Sequence, residues 1–166
     1  MARALIAATM LAVLAPAARA GEVKLPRTPA VLDVPAGWAP IDDAARRGLV
    51  AGYRGDRGVV LAVTRAPVPN SAAYRTQERD AYADQIERGL AARVKGYRRV
   101  ARRLGEQHGT PALDLEAKRA DGATIVVRVL LFWTYALALA IEVPPGADAK
   151  RARDVATSFA PPKPRS

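Results

Sequence analysis

Cysteine is absent from this chain of 166 residues, and histidine occurs once, as His108. Without cysteine the protein can have no disulfide, no catalytic thiol and no lipid attached to an N-terminal cysteine. A single histidine without cysteine is too few for a usual zinc site. Glycine-rich loops of the phosphate-binding or dinucleotide-binding type are also missing. The sequence therefore predicts no bound metal and no cofactor.

Serine is nearly as rare, occurring as Ser71, Ser158 and Ser166. None of the three occupies the Gly-x-Ser-x-Gly turn of a hydrolase, and Ser71 fits better, beside Asn70, as the N-cap of a helix. We therefore predict no catalytic residue and a protein that is not an enzyme. The alternative that stays open is a hydrolase with an unrecognised carboxylate site.

His108 lies between two strand candidates. Gly109 follows it directly and accepts a positive φ, and Pro111 suits the start of the outgoing strand. This spacing predicts a hairpin turn in which the imidazole is largely exposed. Because an exposed imidazole lacks the burial or fixed charge partner that tunes a catalytic pKa, we interpret His108 as a turn residue.

The first 20 residues have the pattern of a secretory signal peptide. Arg3 precedes an apolar run over residues 4–15, and Pro16 ends that run. Ala18 and Ala20 then place small residues at the two positions that signal peptidase reads. The apolar run is too short to span a bilayer comfortably. We predict cleavage after Ala20 and export to the periplasm or the extracellular space.

Positive charge dominates the chain, with 26 basic and 16 acidic residues and a formal net charge of +10. Loss of Arg3 and Arg19 with the leader lowers this charge by two, to +8. Such a surface attracts anionic partners. An exported protein meets little nucleic acid, and no recognition-helix pattern occurs. The expected partner is therefore an envelope protein or an anionic envelope component, and not a nucleic acid.

Apolar periodicity predicts strands, one long helix, more strands and a short terminal helix. After a short leader over residues 21–29, strands are predicted at 31–34, 49–54 and 59–65, and again at 97–107 and 112–119. The long helix is predicted from Asn70 or Ser71 to about Lys95, and residues 147–159 have the pattern of the second helix. The buried stripe of the long helix is predicted to contain Tyr74, Tyr82, Ile86, Leu90 and Val94.

Residues 124–143 form an almost uncharged stretch with the length of a membrane span. The first half is rich in β-formers, and leucine, isoleucine and valine alternate with smaller residues in the second half. Arg128 would be costly inside a bilayer. We therefore predict two buried strands with a bend near Trp133, and no transmembrane span after signal cleavage.

A basic run follows the long helix. Its members are Lys95, Tyr97, Arg98, Arg99, Arg102 and Arg103. The run suits a ligand-binding patch for phosphates or an acidic polymer, with the tyrosine available for stacking. It also suits an edge strand that positive charges protect from pairing with another sheet, and arginines near a helix C-terminus suit the helix dipole. Both interpretations stay open at this point.

The order of elements, and the residues that mark their ends, resemble the PsbP family and its fold relatives, the Ran-binding Mog proteins, over most of residues 30–160. The marks that carry the resemblance are Pro35-Ala36-Gly37-Trp38, Gly109 with Ala112, Tyr135 and Ser158-Phe159. The resemblance implies an α+β fold, with an antiparallel sheet of about six to seven strands packed by one long helix and a C-terminal helix. It also implies a non-catalytic binding or accessory role. Many exported bacterial proteins of unknown function look similar.

We therefore expect a signal peptide over residues 1–20, a PsbP/Mog-like domain over residues 21–160 and a disordered tail over residues 161–166. The expected function is that of an exported, non-catalytic binding or accessory module of the cell envelope or periplasm. The alternatives are a peripheral binder of anionic envelope lipid or polymer through the basic patch, and the hydrolase named above.

Overall fold

The computed structural model describes residues 21–68 and 78–163. The predicted signal peptide, the predicted caps Asn70 and Ser71, and Tyr74 of the predicted stripe lie outside these residues. The strands before the long helix are β1 (Gly21–Lys24), β2 (Val31–Val34), β3 (Ala39–Pro40), β4 (Ala51–Arg54) and β5 (Val60–Pro67). The remaining elements are α1 (Arg79–Arg93), β6 (Arg98–Gln107), β7 (Thr110–Lys118), β8 (Thr124–Leu131), β9 (Tyr135–Val143) and α2 (Ala149–Ser158).

The main sheet has seven antiparallel strands in the order β3-β4-β5-β9-β8-β7-β6, and β1 pairs with β2 in a separate small sheet. The helices α1 and α2 pack on opposite faces of the main sheet. The expected α+β class, with an antiparallel sheet packed by a long helix and a C-terminal helix, is confirmed.

The hydrophobic stretch 124–143 forms the central hairpin of this sheet, as its alternation predicts. β8 is buried along its whole length, and the chain bends at residues 132–134 before β9 returns beside it. Ala138 and Ala140 lie on the face that carries α1, where their small side chains allow close packing. Within residues 21–68 and 78–163, no helix is long and apolar enough to cross a membrane.

The two faces of the sheet hold two separate clusters of apolar side chains. On the α2 face, Phe159, Leu32, Leu139 and Ile141 are fully buried, and Trp38 is nearly so. On the α1 face, the helix contributes one fully buried residue, which is alanine, and the predicted stripe residues of α1 are only partly buried. The core is therefore deeper on the α2 side of the sheet.

The structure corrects two boundaries. Residues 21–24, which we assigned to an irregular leader, form β1, because Gly21 to Lys24 pair in register with Val34 to Val31. Within the described residues the long helix begins at Arg79, after Glu78 with non-helical φ and ψ of −115° and 28°, and its predicted start at Asn70 or Ser71 lies outside these residues. Pro161, which we assigned to the tail, is buried.

Glycine is required at the end of α1. Gly96 has a φ of +67°, and a Cβ atom there would lie 2.6 Å from the Cβ of Ala120. The backbone amide of Ala120 donates a hydrogen bond to the carbonyl of Lys95 at 3.0 Å, so the chain leaving α1 is held against the β7–β8 connection. This close approach fixes the position from which β6 starts.

Candidate binding surface

The residues of the predicted basic patch lie along one edge of the main sheet. Arg98, Arg99, Arg102 and Arg103 belong to β6, the outermost strand, and Lys95 and Tyr97 belong to the connection that leads into it. We call these six residues the basic edge. The opposite border of the sheet is the two-residue strand β3, so β6 is the only long border strand in the described part of the main sheet.

The arginines of the basic edge point to two different faces of the sheet. Residues that lie side by side on neighbouring strands share a face. Arg102 pairs with Leu115, a residue of the α1 face, whereas Arg103 pairs with Asp114 on the α2 face. A β-bulge at Val100 shifts this alternation by one residue. Consequently Arg99 joins Arg102 on the α1 face.

Acidic side chains of α1 neutralise the two arginines on its face. Arg102 donates to Asp84 and lies 3.5 Å from Glu87, and Arg99 lies 3.0 Å from Glu87. The hydrogen bond to Asp84 raises the pKa of Arg102 above its usual value. These pairs join α1 to the edge strand, because the acids lie on the helix and the arginines lie on β6.

Tyr97 belongs to the same network. Its hydroxyl donates a hydrogen bond of 3.0 Å to Glu87, and the ring is partly buried. Burial, followed by the hydrogen bond and the negative charge of Glu87, raises the pKa of Tyr97 to about 12. Tyr97 therefore packs against α1, and the predicted stacking role would require it to leave this position.

The other three members of the basic edge are not held by the acidic side chains of α1, although Arg103 lies opposite Asp114 across the strand pair. Lys95, Arg98 and Arg103 are exposed, and none of them forms an ion pair with residues 21–68 or 78–163. Arg98 lies beside Lys118, another cation, across the strand pair. The predicted patch thus divides into two arginines that hold α1 and three cations open to solvent.

Asp114 and Glu116, which share one face of β7, have opposite electrostatic surroundings. Arg153 of α2 forms two hydrogen bonds of 2.8 Å with Glu116 and thereby lowers its pKa. Burial raises the pKa of Asp114, against the opposing charges of Arg128 and Arg103. Because both oxygens of Glu116 are bound by Arg153, this carboxylate serves to hold α2 against the sheet.

Arg128, which we used only to argue against a membrane span, is buried in the central hairpin at 8% exposure. Its guanidinium donates to the side-chain oxygen of Gln107 and lies 3.4 Å from Asp114, while Nε has no partner among the described residues. A charge inside an apolar stretch is the sequence signal that could have indicated such a cluster. The cluster ties β8 to the end of β6.

His108 lies in a two-residue turn between β6 and β7, as its spacing predicts. His108 and Gly109 have φ values of 49° and 74°, and the histidine is exposed. A turn with two positive φ angles matches the twist of antiparallel strands. Nδ1 of His108 also lies 3.1 Å from the carbonyl oxygen of Pro161. This contact to the end of the domain was not indicated by any pattern in the sequence.

An antiparallel seven-stranded sheet with a helix on each face defines the class of fold, and known structures share it. The cyanobacterial PsbP protein (CyanoP) of Synechocystis sp. PCC 6803 matches with a TM-score of 0.62 and 14% identity, over 93% of this chain and 98% of that chain. A protein of unknown function from Pseudomonas aeruginosa, PA94, matches with a TM-score of 0.49 and 15% identity, over 88% of this chain and 99% of that chain.

Sequence-level comparison adds nothing to these structural matches, since no protein-family model and no curated protein matches the chain. The fold is PsbP-like, and the resemblance stated from the sequence is confirmed at the level of the fold. At 14% identity the similarity concerns the fold alone.

Proposed function

We propose that this protein is an exported, non-catalytic binding module of the cell envelope or periplasm, and that its basic edge binds an anionic component there. The observation that carries this proposal is the set of three exposed cations, Lys95, Arg98 and Arg103, which form no ion pair with residues 21–68 or 78–163. Arg99 and Arg102, by contrast, are held by α1.

Unpaired cations gathered on one border create a local positive potential. Like charges that crowd together repel each other, and an anionic ligand relieves this repulsion when it binds. The three cations do not hold the fold together through ion pairs, so their charge can be removed without removing a packing contact of α1. This separation between binding and folding makes the proposal testable by substitution.

Export rests on the pattern of residues 1–20, as argued from the sequence. N-terminal sequencing of the protein expressed with its full leader in a bacterial host should find Gly21, and an intact Met1 on membrane-bound protein would contradict export.

Binding is tested with poly-L-glutamate as a simple carboxylate polymer. Arg98→Glu/Arg103→Glu should weaken its binding by roughly tenfold or more, because two free cations become anions. Arg46→Glu/Arg47→Glu is the matched control, since these exposed arginines lie in the connection between β3 and β4, at the opposite border of the sheet. Equal loss of binding in both variants would show that net charge, and not the basic edge, attracts the polymer.

A further inference from the structure

The outer side of β6 offers backbone hydrogen-bonding groups as well as charge. Every second residue of a border strand directs its N–H and C=O groups away from the sheet. β6 pairs with β7 on one side only, and no described strand lies on its other side. All of its residues are exposed or half-buried. At ten residues, β6 is also long enough to accept another strand.

The regular part of this border lies after the bulge. Residues 101–107 keep an unbroken register with β7, whereas Val100 is left out of the pairing and is 51% exposed. A segment of this length extends about 24 Å at 3.4 Å per residue. The bulge marks one end of this segment, and the His108 turn marks the other.

Charge decides which kind of strand fits. β6 contains four arginines and one acidic residue, Glu106. A second copy of β6 would bring arginine-rich strands side by side, which is unfavourable because like charges on neighbouring strands repel. An acidic strand would instead place carboxylates beside Arg98 and Arg103, the cations of β6 that form no ion pair with residues 21–68 or 78–163.

We infer that β6 binds an extended acidic segment of a partner protein, which adds to the main sheet as an eighth strand. This inference rests on the proposed function and makes it specific: the anionic component is a polypeptide, and it is recognised by backbone hydrogen bonds together with charge. The free cations Arg98 and Arg103 provide the charge recognition, and residues 101–107 provide the backbone edge.

The experiment compares two peptides of about ten residues that alternate glutamate and threonine, which is a strand-forming composition. One has normal amides, and the other has every backbone amide N-methylated, so that it keeps the charge but cannot donate. We expect the normal peptide to bind at least tenfold more tightly. We also expect it to slow hydrogen exchange at alternate amides of residues 101–107, measured by NMR.

Charge substitution separates this inference from the function on which it rests. Arg98→Glu/Arg103→Glu should weaken binding of the normal peptide at least tenfold, and Arg46→Glu/Arg47→Glu should leave it unchanged. If both peptides bind equally, with no exchange protection, while the Arg98→Glu/Arg103→Glu variant loses both, strand addition is wrong and the proposed function stands. If neither peptide nor poly-L-glutamate binds the wild type, both are wrong. If hydrogen exchange of β6 slows without peptide as the protein concentration rises, β6 pairs with a second copy of this chain, and the inference of an acidic partner strand is wrong.

Discussion

The two helices of this protein are held to the same sheet by different forces. α2 buries Ala152, Val155 and Ala156, and the fully buried Phe159 follows directly. α1 is the longer helix, yet it buries only Ala83 completely. Beyond its partly buried stripe, its acidic residues form ion pairs with the arginines of β6.

This difference separates a side of the sheet that is held by apolar burial from a side that is held largely by ion pairs near the surface. Burial of a large apolar side chain contributes about 1.5–3 kcal/mol, whereas an ion pair near the surface contributes about 0–1 kcal/mol and weakens in salt. The α2 side should therefore be the stable side of the sheet. On the other side, the contacts between α1 and the arginines Arg99 and Arg102 of the basic edge are polar and exchangeable.

The largest effect should come from the α2 side. Phe159→Ala should lower the free energy of unfolding by about 3–5 kcal/mol, because the ring is fully buried and its removal leaves a cavity. Ile86→Ala, on the partly buried stripe of α1, should cost about 1 kcal/mol. Urea unfolding measures the free energy of unfolding of both variants. Equal losses would show that apolar burial holds the two helices to the same extent.

A smaller effect should come from the network between α1 and β6. Glu87→Ala should cost about 2 kcal/mol, because Glu87 accepts hydrogen bonds from both Tyr97 and Arg99 and its loss leaves them unpaired. Because alanine keeps the helix propensity high, the loss of stability in this variant measures the contribution of the network between α1 and β6. Arg88→Ala, an exposed residue of the same helix, is the control and should change stability by less than about 0.5 kcal/mol.

The pair between Glu116 and Arg153 should stabilise the fold in a pH-dependent way. Because Arg153 lowers the pKa of Glu116, the contribution is complete above the usual glutamate pKa and is lost as the pH falls through the lowered value. Glu116→Gln should cost about 1 kcal/mol at neutral pH and nothing in acid. Glu22→Gln, at an exposed residue of β1, is the control variant, and unfolding at several pH values compares the two.

The smallest effect concerns the ionisation of Tyr97. Its pKa is raised from the usual 10 to about 12, so its stabilising contribution is present below pH 10 and is lost as the pH rises towards 12. Phenolate absorbance should show a tyrosine that ionises near pH 12, and Tyr97→Phe should remove this step. Glu87→Gln should lower the pKa of Tyr97. An unchanged titration in this variant would show that Glu87 does not act on Tyr97.

Local patterns predicted most of the fold. The alternation over residues 124–143 and the paired His108 and Gly109 gave the central hairpin and its neighbouring turn, because both depend on residues close in sequence. The end of the long helix was likewise predicted, at about Lys95 against Arg93 in the structure. The strand β1 was missed because Gly21 to Lys24 have little strand signal of their own and depend on pairing with β2.

The candidate site was only partly predictable. The six residues of the basic edge lie close together in the chain, so the sequence predicted the cluster. It did not predict which of these cations form ion pairs and which do not. That division depends on the Val100 bulge, which turns Arg99 and Arg102 towards α1, and on the acids of a helix packed from elsewhere in the chain. Likewise, the hydrogen bond between His108 and Pro161 joins residues that are distant in sequence.

The most direct test of the binding role is an NMR titration of the mature protein with poly-L-glutamate, read residue by residue. We predict that backbone chemical shifts change over residues 95–103. They should not change at the exposed arginines of Ala45–Arg47 or in strand β4 at the other border. Shift changes that spread equally over both borders, or that concentrate at the border of β3 and β4, would contradict the assignment of binding to the basic edge.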